Sequence, residues 1–101
     1  MKLRELAHSR SGDKGNTANI SIIAFKAEDY DTLRRSVTVD AIRERLGAIV
    51  TGHIERYEVP SISALNFVLY GALGGGVTRS LAIDAHGKCL SSAVLDIEIE
   101  R

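Results

Sequence analysis

Apolar residues in this chain recur with two different periods, and the order in which those periods alternate limits the fold more than any other feature. Residues 18–25 read Ala-Asn-Ile-Ser-Ile-Ile-Ala-Phe. Side chains two apart share one face of a strand, so Ala18, Ile20, Ile22 and Ala24 form one apolar face. Ile23 and Phe25 make the other face partly apolar, which implies partial cover there. The period then lengthens. Asp29 or Asp31 can cap a short helix to about Arg35, with Tyr30 and Leu33 inward. Thr38 suits the N-cap of a second helix, and Asp40 its first turn. Val39, Ile42, Leu46 and Ile49 recur at helical steps through it. Residues 53–59 return to a strand, which Pro60 stops.

Beyond Pro60, Ser61 or Ser63 can cap a helix to about Leu73. Ile62, Leu65, Leu69 and Ala72 would lie on one side of it, and Phe67, Val68 and Tyr70 on the other. A helix apolar on both sides is central or covered by a partner. Gly74-Gly75-Gly76 ends it. Residues 81–100 read as a hairpin turning at His86-Gly87, with Ala93, Leu95, Ile97 and Ile99 alternating with polar residues or Val94. At the other end, residues 2–8 suggest a short first strand and residues 9–17 a polar loop. The order is strand, strand, helix, strand, helix, strand, strand. It predicts an α+β fold: a single domain over residues 1–101, built as a two-layer α/β sandwich with a mixed sheet.

Composition narrows the function classes. Thirteen Lys plus Arg balance thirteen Asp plus Glu in 101 residues. A net charge of zero lacks the electrostatic footprint of a nucleic-acid binder, so no nucleic-acid partner is expected. It also leaves little repulsion between copies, so a homo-oligomer is plausible. Cys89 is the only cysteine, which precludes an intrachain disulfide or a thiolate cluster. In a strand it reads as a small buried hydrophobe. His8, His53 and His86 have no ligand spacing, so no metal site is expected. No motif implies a cofactor. Residues 1–5 lack a secretion signal and no stretch reaches the ~20 apolar residues of a membrane span. A reducing cytoplasm is the expected location, without membrane association.

Chemistry concentrates in two segments. The first is His8-Ser9-Arg10-Ser11-Gly12-Asp13-Lys14-Gly15-Asn16-Thr17. Polar residues and glycines in such a run can form a nest of backbone N–H groups that binds an anion. Arg10 and Lys14 add charge, and Ser11, Gly12 and Asn16 add hydrogen bonds. Its spacing is not that of a P-loop. His8, placed where a strand would end, is the candidate acid–base group, with Asp13 to orient it. Neither Ser9 nor Ser11 lies in a nucleophile elbow. The plain alternative is an ordered connection in which Asp13 caps amides. The second segment is Asn66 with Gly71-Ala72-Leu73-Gly74-Gly75-Gly76-Val77-Thr78-Arg79. Asn66 is polar within an apolar helix and needs a partner, for which a backbone group is the first expectation. The glycines permit close backbone approach, while Thr78 and Arg79 offer a hydroxyl and a cation for a carboxylate.

These two segments, residues 8–19 and residues 64–80, resemble the C-terminal domain of the acyclic-terpene-utilisation AtuA-like family. The resemblance runs from Leu3 to about Ile97, with both motifs in order. Family members usually carry Asp where this chain has Asn16. The resemblance implies a ferredoxin-like fold, here as a stand-alone short chain, and a context of acyl-CoA or organic-acid catabolism of the terpenoid type. The leading expectation is an accessory small subunit or domain. It would pack on a larger AtuA-like subunit or on itself, and contribute an anion-binding loop for an acyl-CoA or carboxylate ligand to a shared site. The alternatives are a self-sufficient small lyase or hydratase using His8, and a ligand-binding module without turnover.

Overall fold

A computed structural model describes residues 1–14, 17–46, 50, 52–71 and 89–100. The elements are β1 (Ala7–Lys14), β2 (Thr17–Ala24), α1 (Tyr30–Ser36), α2 (Val39–Leu46), β3 (Ile54–Val59), β4 (Ala64–Tyr70) and α3 (Cys89–Val94). The four strands form one sheet in the order β1-β2-β4-β3. All three described pairings are antiparallel, so the sheet is not mixed as the strand–helix–strand pattern suggested. Two hairpins account for the difference. A hairpin returns each strand antiparallel to its neighbour; β2 and β3, joined through the helices, do run parallel, but β4 lies between them, so no adjacent pair is parallel. The α+β, two-layer, ferredoxin-like expectation holds.

One face of the sheet meets the helices. Ile20 lies opposite Phe67, Ile22 opposite Leu65, and Leu69 between Ala18 and Ile54. All seven are buried, together with Leu33 of α1, Ile42 and Leu46 of α2 and Val94 of α3. The helices therefore lie over this face and close the core on that side.

The predicted α1 and α2 form largely as expected because their signals are local. Thr38 Oγ1 accepts a hydrogen bond from the Ala41 N–H at 3.1 Å, capping α2. Strand β3 also forms within its predicted bounds. Other segments differ. Leu3–Glu5 is a 3-10 turn and the first strand starts at Ala7, so residues 9–14 are strand where a loop was expected. Register explains it: all eight β1 residues pair with β2, which satisfies a polar backbone without an apolar sequence.

The expected helix from Ser61 or Ser63 is instead a 3-10 turn, Pro60–Ile62, followed by β4. Ser63, at φ 56°, turns the chain into β4. Leu65, Phe67 and Leu69 are buried while Asn66 and Val68 are half-buried and Tyr70 is exposed, which is a strand period. As a central strand flanked on both sides, β4 is apolar enough to mimic a helix. Residues 72–88, with the expected Gly74–Gly76 stop and His86-Gly87 turn, lie outside the described residues. Cys89 opens helix α3 instead of sitting in a strand. Ala93 and Val94 also lie in α3 where a strand was expected, and a turn at Leu95-Asp96 follows; Ile97 and Ile99 are then buried and pair with the N-terminal segment through Leu3 N–H to Ile97 O and Ile99 N–H to Met1 O.

Candidate functional site

The face of the sheet turned away from the helices carries the polar residues. Antiparallel partners point the same way, so the register arranges this face in cross-strand rows. One row is His8, Ile23, Ala64 and Val59; the next is Arg10, Ser21, Asn66 and Tyr57; the next is Gly12, Asn19, Val68 and Glu55. Thr17 and Tyr70 continue the pattern. Among the described residues no helix packs over it. Tyr57 is 49% exposed and Phe25 60%.

The central row is the most specific feature. Ser21 Oγ donates to Asn66 Oδ1 at 3.2 Å, linking β2 to β4. Arg10, exposed beside Ser21 on edge strand β1, has no ion-pair or hydrogen-bond partner among the described residues. A permanent cation next to a hydroxyl and an amide, on a rigid sheet, can take a carboxylate or phosphate oxygen pair. The Asn66 partner is thus a side chain of a neighbouring strand, which no local reading could identify.

The two ends of β1 differ. His8 is the second residue of β1 rather than a strand end, and its ring stacks on Phe25 with centroids 5.6 Å apart. Asp13 pairs with Ala18, whereas His8 pairs with Ile23. Five positions separate the two, so strand alternation sets them on opposite faces. Ser9 and Ser11 hold positions on the helix side; Ser11 is exposed, and Ser9 Oγ is buried without a hydrogen-bond partner. Lys14 pairs with Thr17, which in turn pairs with Tyr70. The first segment and the start of the glycine-rich one, at Gly71, therefore converge at one end of the sheet. Asn16, Thr78 and Arg79 lie outside the described residues.

A second cluster, absent from the sequence expectations, occupies the β3 edge of the same face. Glu55 Oε1 accepts from Tyr57 OH at 2.7 Å and from Tyr70 OH at 3.2 Å. His53 Nε2 lies 3.5 Å from Glu55 Oε2, and its ring stacks on Tyr70. The Tyr57 hydrogen bond, with that of Tyr70 and the nearby His53, holds the Glu55 carboxyl below its usual range. The same carboxylate pushes both tyrosine hydroxyls up. Alternation along β3 could have shown Glu55 and Tyr57 on one face; bringing Tyr70 to them requires the β3–β4 register. The open face is thus cationic toward β1 and anionic toward β3.

Among the described residues no group of three His, Cys, Asp or Glu side chains could hold a metal ion. None of their helices is long and apolar enough to cross a membrane. A surface groove of about 390 Å³ between α2 and the C-terminal segment is lined by Arg45, Asp96 and Glu98, on the helical side and away from the polar rows.

These features define a small two-layer α+β domain of ferredoxin-like type that leaves one polar sheet face open. The chain belongs to the AtuA ferredoxin-like domain family, whose model matches residues 1–100. Comparison with curated proteins and with solved structures gave no match.

Proposed function

We propose that the chain is an accessory subunit or domain in acyl-CoA or organic-acid catabolism of the terpenoid type. It supplies its open sheet face to a ligand site shared with a partner, a larger AtuA-like subunit or another copy of itself. Arg10 is the anion-binding residue, with Ser21 and Asn66 beside it and the β1–β2 hairpin, including Gly12 and Lys14, carrying the ligand's polar end. The observation that carries this reading is Arg10, which among the described residues has no ion-pair or hydrogen-bond partner, in a polar row on a face that no described helix covers. A surface cation without a structural partner is free for a ligand, and the rigid sheet holds its neighbours in place.

Turnover by this chain alone has less support. His8 stacks on Phe25 without a hydrogen-bond partner among the described residues, and Asp13 holds a position on the other face. Among the described residues no group orients His8 as the second half of an acid–base pair.

Thermal-shift and calorimetric titration with CoA thioesters and small carboxylates tests the proposal. Binding that disappears in Arg10→Ala and survives in His8→Ala is the expected result. No shift with any of these anions, combined with no co-purifying larger subunit, would overturn it.

A further inference from the structure

The open face is complementary to itself, and we infer that a second copy of this chain covers it when no ligand is bound. The inference rests on the preceding reading of the face as the working surface and names its partner. One side of the face presents Arg10 on β1, exposed and without an ion-pair or hydrogen-bond partner among the described residues. The opposite side presents Glu55, Tyr57 and Tyr70, a carboxylate walled by two aromatic rings on β3 and β4. A carboxylate beside aromatic rings is a receptor for a guanidinium, through ion pairing and cation–π contact. Within one copy the two cannot meet, because β2 and β4 stand between β1 and β3.

A two-fold axis lying between the stacked sheets, parallel to the strands and over the β2–β4 seam, turns each cross-strand row onto itself in reverse. Arg10 of one copy then lies over Tyr57 of the other and one row from its Glu55. Sheets stacked face to face sit about 10 Å apart, a gap that facing side chains fill. The same operation sets His8, with Phe25 stacked on it, over Val59 and the adjoining Ile62. Phe25 and Ile62 are 60% and 59% exposed, so the apolar end meets its own kind while the charged rows pair. Every contact occurs twice, as a closed two-fold interface requires. A partner of unrelated chemistry would need this same layout of cation, anion and apolar end in reverse, which the chain itself supplies. A ligand anion and Glu55 of the second copy compete for the exposed guanidinium of Arg10, and a ligand held there occupies the space between the two sheets. A ligand at Arg10 therefore displaces Glu55 of the second copy, and the paired state is the unliganded one.

Sedimentation analysis of the full chain from micromolar to submillimolar concentration tests this, with circular dichroism to confirm that each variant folds. The expected result is a concentration-dependent dimer. Arg10→Glu and Glu55→Arg each weaken it by at least roughly tenfold, and the double variant R10E/E55R regains it. A wild-type chain that stays monomeric throughout overturns the inference. So do single variants that pair as tightly as wild type, or a double variant no tighter than the singles. Anion titration reads the underlying proposal separately. Arg10-dependent ligand binding by a strictly monomeric chain sinks the dimer alone, and a charge-swappable dimer that binds no anion and no larger subunit sinks the ligand site alone.

Discussion

Ser21 Oγ donates a hydrogen bond to Asn66 Oδ1 at 3.2 Å, and the pair sits half-buried at the middle of the open sheet face. The two residues are 45 positions apart and meet only because β2 lies beside β4. Neither belongs to the buried apolar core. A β-branched apolar residue would suit a half-exposed central strand position at least as well as Asn. Asn66→Val is therefore expected to leave stability within about 0.5 kcal/mol of wild type, or to raise it, while weakening anion binding. Denaturant titration beside ligand titration checks the split. A large loss of stability would show that the pair serves the fold.

Arg56 ties the sheet to the end of α1. Its Nη1 donates to the carbonyls of Arg34 and Val37, each at 2.8 Å, and its Nη2 to Glu58 at 2.9 Å. The side chain is 19% exposed, so these charged hydrogen bonds are partly shielded from water. They satisfy carbonyls that a helix C-terminus leaves open, and a cation there also suits the helix dipole. Arg56→Ala is expected to cost about 2 kcal/mol, seen as a lower urea midpoint with unchanged slope. Arg56→Lys should recover only part of it, because an ammonium lacks the planar fork.

Two glycines should respond differently to alanine. A Cβ on Gly52 would run into the Tyr70 carbonyl, 2.8 Å from its carbon, and that backbone is held in β4. A Cβ on Gly12 would come 3.0 Å from Asn19 Oδ1, the end of a side chain that can turn away. Gly52→Ala is expected to destabilise by about 1–3 kcal/mol, and Gly12→Ala by far less. Comparable thermal shifts for both would contradict the close approach of residue 52 to β4.

Acid should loosen the junction of the two terminal segments. Asp96 accepts from Arg4 Nη2 at 2.5 Å and Nε at 3.2 Å, with Arg45 at 3.5 Å and Lys2 at 3.8 Å. The Arg4 hydrogen bonds, aided by these charges, hold its carboxyl below the ordinary value of 3.8. A depressed folded value means the contribution is fully present above the unfolded value. It is lost as pH falls below that and through the folded one. Melting temperature measured across this acid range should fall less steeply in Asp96→Asn than in wild type. Equal slopes would assign the acid sensitivity to other carboxylates.

What could be read from the chain alone follows from how local each signal is. The α1 and α2 helices carry their own period, and Thr38 its own cap, so both were visible without a partner. Strand β3 was visible because Pro60 bounds it. The α+β class and the AtuA resemblance were legible in the same way. Strand β1, by contrast, has Ala7 as its only apolar residue, and it is a strand because β2 pairs with it. Strand β4 has an apolar run that suits either state, and flanking strands decided between them. Glu55, Tyr57 and Tyr70 each look like ordinary surface residues until the register brings them together.

The amino-acid sequence by itself determined the α1 and α2 helices, the α+β class and the family, because period, capping and motif order are properties of neighbouring residues. Only the tertiary structure decided which face of the sheet stays open and what meets on it. Cross-strand neighbours are set by register, and register depends on which apolar faces are buried together. That is why Arg10 stands beside Ser21 and Asn66 while Asp13 holds a position on the opposite face.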